Sequence, residues 1–383
     1  MSAPRVLCCH PSAERYGSDR VFLESVAALA GAGWQVTVTV PADGELLDAL
    51  RAAGARVLLC PTAVLRKAAL RPAGLLRLLL DVVRGLGPML RVLRECRPDL
   101  VYVNTVIVPG WLLLAKLLRH KTVAHVHEAE DGVPGPIRTA LALPLLAADT
   151  ILVNSRASAR TITSGLPRLR SRIRLLYNGV AGPPRQLPPR GQPHDPVRLV
   201  LVGRLSPRKG TDIAVEALGR LTARQAVTLD VYGSVFAGYE WYETQLRQRI
   251  DELGLAESVR LHGFRSEVWD AYAEADIALV PSRVEPFGNT SVEAQLAGAP
   301  VIVTDVQGLP ETVAGGRFGT IVPAADPVAL ADAIDALLAD WPAALATAAA
   351  ARANAVEEFA PETYRAKVVA TLGELLGRTA TTS

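Results

Sequence analysis

The stretch "ADIALVPSRVEPFGNTSVEAQLAGAPVIV", residues 275–303, runs through strand, loop, helix and strand in succession. "IALV" and "VIV" are short apolar, β-branched runs, and a helix begins between them near Asn289 or Thr290. A helical crossover between two apolar runs predicts parallel pairing in one sheet. Two carboxylates, Glu285 and Glu293, bracket the entrance to that helix. A purely structural account is at hand, because Thr290-Ser-Val-Glu293 fits a capping box with Thr290 as N-cap. It leaves Glu285 as a solvated loop charge and Gly288 as an ordinary turn residue.

The same rhythm extends in both directions. Towards the C-terminus it continues through "GTIVPA" and helical patterns over "PVALADAIDALLADW" and 361–377. Upstream lie "VRLVLVGR", "TLDVYG" and "VRLHGF", separated by helices from Thr211 and through 240–253. In the first half "RVLCCH", "QVTVTV", "RVLLC", "DLVYVN", "TVAHVH" and "TILVNS" alternate with helical segments, among them 74–96. Six prolines in "GVAGPPRQLPPRGQPHDP", 179–196, interrupt the alternation. The expectation is an α/β chain of two Rossmann-like, doubly wound domains facing a central cleft. The first spans 1–180; a proline-rich linker spans 181–196. The second spans 197–360, and a helix and tail, 361–383, cross back to the first domain. In such sheets ligands sit beyond the carboxyl ends of the strands.

Bulk properties exclude several classes. A chain of 383 residues, 50% hydrophobic and 21% charged, is globular and long enough for two cores. A net charge of +3 gives no basis for nucleic-acid binding. Cys8, Cys9, Cys60 and Cys96 form no C-x-x-C pair and are expected in the core of a protein of the reducing cytoplasm. No apolar run approaches the ~20 residues that span a bilayer, and the N-terminus does not resemble a signal peptide. "GAGWQV", from Gly31, imitates a dinucleotide fingerprint, but it follows a helix and precedes a strand, so it is a helix C-cap.

The chemistry-bearing stretches converge on one ligand type. In "VLVGRLSPRKGTDIAVEAL" a strand ends at Gly203, and Arg204 and Lys209 flank the turn into a helix. Two cations beside a helix N-terminus suit a pyrophosphate, although a solvated basic turn is the commoner meaning of such a motif. At 285–293, Gly288 would let backbone approach a ligand closely, with the amides of 288–291 facing it. Glutamate carboxylates accept charge-assisted hydrogen bonds from sugar hydroxyls. A nucleotide sugar supplies both phosphates and hydroxyls.

These motifs, in order, resemble the donor half of the retaining glycosyltransferases of family four, with the GT-B fold. "GRLSPRKG", "VRLHGF", "YAEADIALVPSRVEPFGNTSVEAQLAGAPVIVTDVQGLPETV" and "GTIVPAADPVALADAI" carry the resemblance, and Glu285 and Glu293 meet its E-x7-E spacing. "SAERYGSDR", "AHVHE" and "RLLYNGV" extend it more loosely into the first half. The resemblance implies that the first domain, 1–180, binds the acceptor and the second, 197–360, the nucleotide sugar, where Arg204 and Lys209 hold the diphosphate. Glu285 and the amides of Phe287, Gly288, Asn289 and Thr290 would hold the transferred sugar. Glu293 would bind the ribose, and the backbone at Gly263 and Phe264 the base. His127 would reach the donor sugar from the first domain, Gly17 would admit the phosphates, and His125 would be structural. Tyr16, Asp19 and Arg20 are expected on the acceptor side, with capping of the first helix as the other account of Asp19.

The expected reaction is transfer of a hexosyl group with retention, by front-face displacement, to a glycan, lipid-linked or small-molecule hydroxyl. The alternatives are a nucleotide-sugar epimerase or hydrolase, or a non-catalytic nucleotide-sugar module. Asp-x-Asp occurs nowhere in the chain, so no metal and no cofactor are expected. The stretch 65–97 holds seven arginines and one lysine against two acids. It is expected either to cover a sheet with a solvated basic face or to rest peripherally on the anionic inner face of a membrane.

Overall fold

The computed structural model describes residues 2–14, 17–65, 72–129, 132, 134–221 and 226–378. The chain divides into two compact units, Met1–Gly179 with Pro361–Ser383, and Val180–Ala360.

The first unit is built on seven parallel strands: β1 (Arg5–Cys9), β2 (Gln35–Val40), β3 (Arg56–Leu59), β4 (Leu100–Asn104), β5 (Lys121–Val126), β6 (Thr150–Val153) and β7 (Ile173–Leu175). Their order is β3-β2-β1-β4-β5-β6-β7. The chain starts in mid-sheet, builds outward to β3, then crosses to β4, so the topological switch lies between β1 and β4. All five residues of β4 are buried, as a strand covered on both faces requires. The sequence pattern does not pick out β7, a three-residue strand at the sheet edge with Arg174 at its centre and little burial. Cys8, Cys9 and Cys60 are buried and Cys96 is partly so, all four as free thiols. Gly33 closes the helix Gly17–Gly31 with φ +79°, and the Trp34 amide donates back to Leu29, the helix C-cap expected of "GAGWQV".

The last helix, Pro361–Leu375, belongs to this unit. Tyr364, Val368 and Leu372 enter the core that β1 and β2 share with the helix Gly17–Gly31. Tyr364 Oη lies 2.5 Å from Ser25 Oγ, and Arg365 donates to Glu24 at 2.6 Å.

The second unit carries six parallel strands: β8 (Val197–Val202), β9 (Val227–Tyr232), β10 (Val259–Leu261), β11 (Ile277–Val280), β12 (Val301–Thr304) and β13 (Thr320–Val322). The order β10-β9-β8-β11-β12-β13 puts its switch between β8 and β11. The stretch 181–196 has no helix or strand, in keeping with its prolines, yet it is not a free tether. Leu187 is buried in the core of the second unit, Arg190 donates to the Gly298 carbonyl at 2.7 Å, and Gly191 accepts from Trp341. An apolar anchor and satisfied carbonyls outweigh the flexibility that composition alone suggests.

Candidate functional site

The loops at the second unit's switch point are pressed together. Gly210 has φ +69°, and a Cβ there would stand 1.9 Å from the Pro281 carbonyl oxygen, so the loop after β8 touches the loop after β11 at a position open only to glycine. Arg283 seals the contact. Its amide donates to Arg208 O at 2.7 Å and its guanidinium to Pro207 O at 2.8 Å. The same guanidinium grips both Asp212 oxygens, at 2.8 and 2.6 Å. Burial opposes ionisation of Asp212, but the bonds from Arg283 and Tyr242 outweigh it and hold the carboxyl below its ordinary value.

On this brace Lys209 Nζ donates to Glu285 Oε2 at 2.5 Å. The two side chains are 25% and 13% exposed, so the pair is partly desolvated while its edge still meets solvent. The guanidinium of Arg204 lies over the Phe236 ring, 3.2 Å from its centre. Gly263 follows β10 and bridges to Gly233, whose amide donates to its carbonyl at 2.8 Å. Neighbouring Phe264 is 63% exposed. Arg204, Lys209, Gly263 and Glu285 therefore sit in loops at the carboxyl ends of β8, β10 and β11.

The helix after Glu285 starts earlier than a capping box requires. It spans Asn289–Leu296 with Gly288 as its N-cap at φ +115°, and no side chain caps it. A Cβ on Gly288 would approach Leu309 Cδ2 to 2.5 Å, which fixes glycine at the turn. Thr290 lies inside the helix, and its Oγ1 is buried without a hydrogen-bond partner. Glu293 has a different local role. The buried Tyr272 hydroxyl lies 3.3 Å from Glu293 Oε2 and 3.3 Å from the Thr290 carbonyl. Burial, then the Glu293 charge, push this phenol well above its ordinary pKa. Phe287 is buried edge-on against Phe359, and Ser291 and Gln295 tie the helix to Thr312.

In the first unit, His127 follows β5 and donates through Nε2 to Asn104 Oδ1 at 2.9 Å. Its Nδ1 is shielded and, among the described residues, without a hydrogen-bond partner. Burial, with His10 adding to it, lowers its pKa to about 3, so the ring is neutral at ordinary pH. His125 is fully buried and bonded through Nδ1 to Tyr102 Oη at 2.5 Å, the structural role expected of it. Gly17 opens the helix Gly17–Gly31, and Arg20 is exposed on its first turn. Asp19 is not on the surface: it is buried, and its Oδ1 receives His10 Nε2 at 2.8 Å and Ser12 Oγ at 3.0 Å. An internal carboxylate so engaged does not fit the acceptor-side place expected for it. Tyr16 lies outside the described residues.

The pattern pointed to neither His10, Asn104, Arg283 nor Tyr272. The first two close the strand runs "RVLCCH" and "DLVYVN" on either side of a switch point, and that position was the available signal.

Comparison with known proteins matches both units. Residues 16–181 match the family model "Glycosyltransferase Family 4", and residues 185–355 match "Glycosyl transferases group 1". The chain belongs to the family 4 glycosyltransferases. Among curated relatives, D-inositol 3-phosphate glycosyltransferase 2 of Catenulispora acidiphila is 37% identical over 47% of this chain and 43% of its own. The lipopolysaccharide core biosynthesis mannosyltransferase LpsB of Rhizobium meliloti is 34% identical over 46% of this chain and 51% of its own. The chain thus spans about half the length of the curated relatives it matches. The crystal structure of Anabaena Alr3699/HepE in complex with UDP superposes with a TM-score of 0.80 at 22% identity, covering 97% of this chain and 100% of that one. That likeness establishes the GT-B fold.

In this family 4 glycosyltransferase residues 72–96 of the basic stretch form the helix Pro72–Cys96, and 66–71 lie outside the described residues. Leu76, Leu79, Leu80, Val82, Val83 and Leu86 are exposed along it. Among the described residues, no helix is long and apolar enough to cross a membrane.

Proposed function

We propose that this family member transfers a hexosyl group, with retention at the anomeric carbon and without a metal ion, from a nucleotide-diphosphate sugar to an acceptor hydroxyl. The observation that carries the proposal is the Lys209–Glu285 pair, held at a switch point beside a glycine-led helix. Its cation suits a phosphate and its carboxylate suits sugar hydroxyls, and a donor carrying both groups would engage the two partners at once. The names of similar proteins agree in kind: HepE was solved with UDP and with UDP-glucose.

On this reading Arg204 and Lys209 hold the diphosphate, and Glu285 with the amides of Phe287 to Thr290 holds the sugar. Glu293 takes the ribose, and the backbone at Gly263 and Phe264 the base. His127 contacts the transferred sugar, Gly17 leaves room for the phosphates, and Arg20 and Tyr16 face the acceptor. The departing phosphate takes the acceptor proton while Arg204 and Lys209 offset its charge, a preorganised contact worth about 3–4 kcal/mol in such sites. The two glutamates are not a glycosidase pair, because they stand on either side of a helix start next to a cation rather than facing each other across a glycosidic bond. The site of action is cytoplasmic, with the exposed apolar and basic face of Pro72–Cys96 resting on an anionic membrane surface.

The test uses UDP-glucose as donor and D-inositol 3-phosphate as a trial acceptor, in excess EDTA. Acceptor-dependent UDP release and an α-linked product are expected. Activity lost in EDTA and restored by magnesium or manganese, or a β-linked product, would contradict the reading. Free glucose formed equally with and without acceptor would mark a hydrolase instead. UDP at about 100 times its dissociation constant is expected to stabilise the protein by about 2.7 kcal/mol, read by thermal shift.

A further inference from the structure

At the first unit's switch point, side chains from the ends of β1, β4 and β5 and from the helix Gly17–Gly31 form one hydrogen-bonded line. Asp19 Oδ1 is 2.8 Å from His10 Nε2, His10 Nδ1 is 3.0 Å from Asn104 Nδ2, and Asn104 Oδ1 is 2.9 Å from His127 Nε2. His10, Asp19 and Asn104 are all buried, and the His10 ring stacks on Phe22 with centroids 4.3 Å apart.

Direction along this line follows from its starting point. A carboxylate only accepts, and Asp19 Oδ1 already receives the Ser12 hydroxyl, so His10 Nε2 carries a hydrogen. A neutral His10 then has a lone pair on Nδ1, which is filled by a hydrogen of the Asn104 amide nitrogen. Asn104 is thereby oriented with its oxygen towards His127, and that oxygen takes the hydrogen on His127 Nε2. What remains on His127 is Nδ1, a bare acceptor, shielded and without a hydrogen-bond partner among the described residues. Two described groups beside His127 are engaged elsewhere. Its backbone amide donates to Glu128 Oε2 at 3.0 Å, and the His125 ring, 4.0 Å away between centroids, uses Nδ1 for Tyr102.

We infer that Asp19, His10 and Asn104 are positioning residues that lock His127 in its Nε2–H tautomer, so that Nδ1 accepts a hydrogen bond from a hydroxyl of the transferred sugar. The last clause rests on the proposed role of His127; the lock itself does not. A locked acceptor recognises a group that carries a hydrogen and turns away one that presents only lone pairs.

Nitrogen-15 NMR of the full chain, labelled in histidine, tests both parts. The His127 signals are assigned by their disappearance in His127→Gln. In the free protein at neutral pH, a pyrrole-like Nε2 and a pyridine-like Nδ1 are expected for His127. A protonated Nδ1 in the wild-type spectrum overturns the lock, whatever any variant does. In Asn104→Leu the two tautomers of His127 are expected to mix, with kcat/KM for UDP-glucose falling at least about tenfold; an unchanged His127 tautomer in a folded Asn104→Leu variant also overturns the lock. Adding UDP-glucose to the wild type should move the Nδ1 resonance as it accepts a hydrogen bond. A correct tautomer with no such movement leaves the lock standing and sinks the sugar contact, which separates the two failures.

Discussion

Lys209 and Glu285 meet at 2.5 Å although 76 positions separate them in the chain. Each is delivered by a different loop, and Arg283 holds those loops in register through Pro207, Arg208 and Asp212. Glu285→Gln keeps the shape and removes the charge. It is expected to lower kcat by about 10²–10³, the range for loss of one preorganised polar contact. The pair meets solvent at its edge, so the melting temperature should hardly change. Turnover within threefold of wild type would remove Glu285 from the reaction.

Glu293 serves the fold as well as its proposed place at the ribose. Replacing it by alanine strips the buried Tyr272 hydroxyl of one of its two partners. Urea unfolding of Glu293→Ala should show a loss of about 1–3 kcal/mol together with weaker UDP binding. Tyr272→Phe removes the hydroxyl and keeps the packing, and is expected to cost no more than about 1.5 kcal/mol. Equal stability of Glu293→Ala and wild type would mean that Tyr272 needs no carboxylate.

Acid should destabilise the first unit well before its carboxylates protonate. His10, His125 and His127 all have pKa values lowered by burial, that of His127 to about 3. Above about pH 6.5 folded and unfolded forms are both neutral at these rings and the penalty is absent. Below it the unfolded chain takes up protons that the folded unit refuses, so stability falls, each fully buried ring contributing up to about 1.4 kcal/mol per pH unit. Unfolding followed through buried Trp111 should show a lower urea midpoint at pH 5.5 than at 7.5. A midpoint independent of pH over that range would show that these rings protonate in the folded state.

Membrane contact has its own signature. If Pro72–Cys96 rests on lipid, the chain should sediment with vesicles containing phosphatidylserine and remain free of phosphatidylcholine vesicles, with the difference vanishing at high salt. The double substitution Leu79→Glu and Val83→Glu changes two exposed side chains and should abolish sedimentation without altering the melting temperature. Equal behaviour with both lipids would leave the helix as a sheet cover with a solvated face.

The legible part of this molecule was whatever depends on periodicity and on residue types at strand ends. All six strands of the second unit stand in the sequence as apolar runs, because buried parallel strands have no polar face to disguise them. β7 was hidden by its length and by Arg174. The proline-rich stretch was legible as irregular and illegible as anchored, since Leu187 and Arg190 act through partners about a hundred residues away. Glu285 and Lys209 were legible as separate charges, whereas their contact depends on how two loops pack. Gly288 defeated the capping-box expectation for a local reason: its positive φ puts the N-cap two residues before Thr290. Asp19 was visible as a charge near a helix start, but the His10 ring that draws it inward was not.

The return of Pro361–Leu375 to the first unit sets an order of events during synthesis. Residues 180–360 are contiguous, so the second unit has its whole core in hand once that length has left the ribosome. The first unit, though made earlier, must wait: Tyr364, Val368 and Leu372, and with them one partner of Ser25, arrive only after residue 360. The unit translated first is therefore the one completed last, and until then it is the half of the nascent chain with exposed apolar surface.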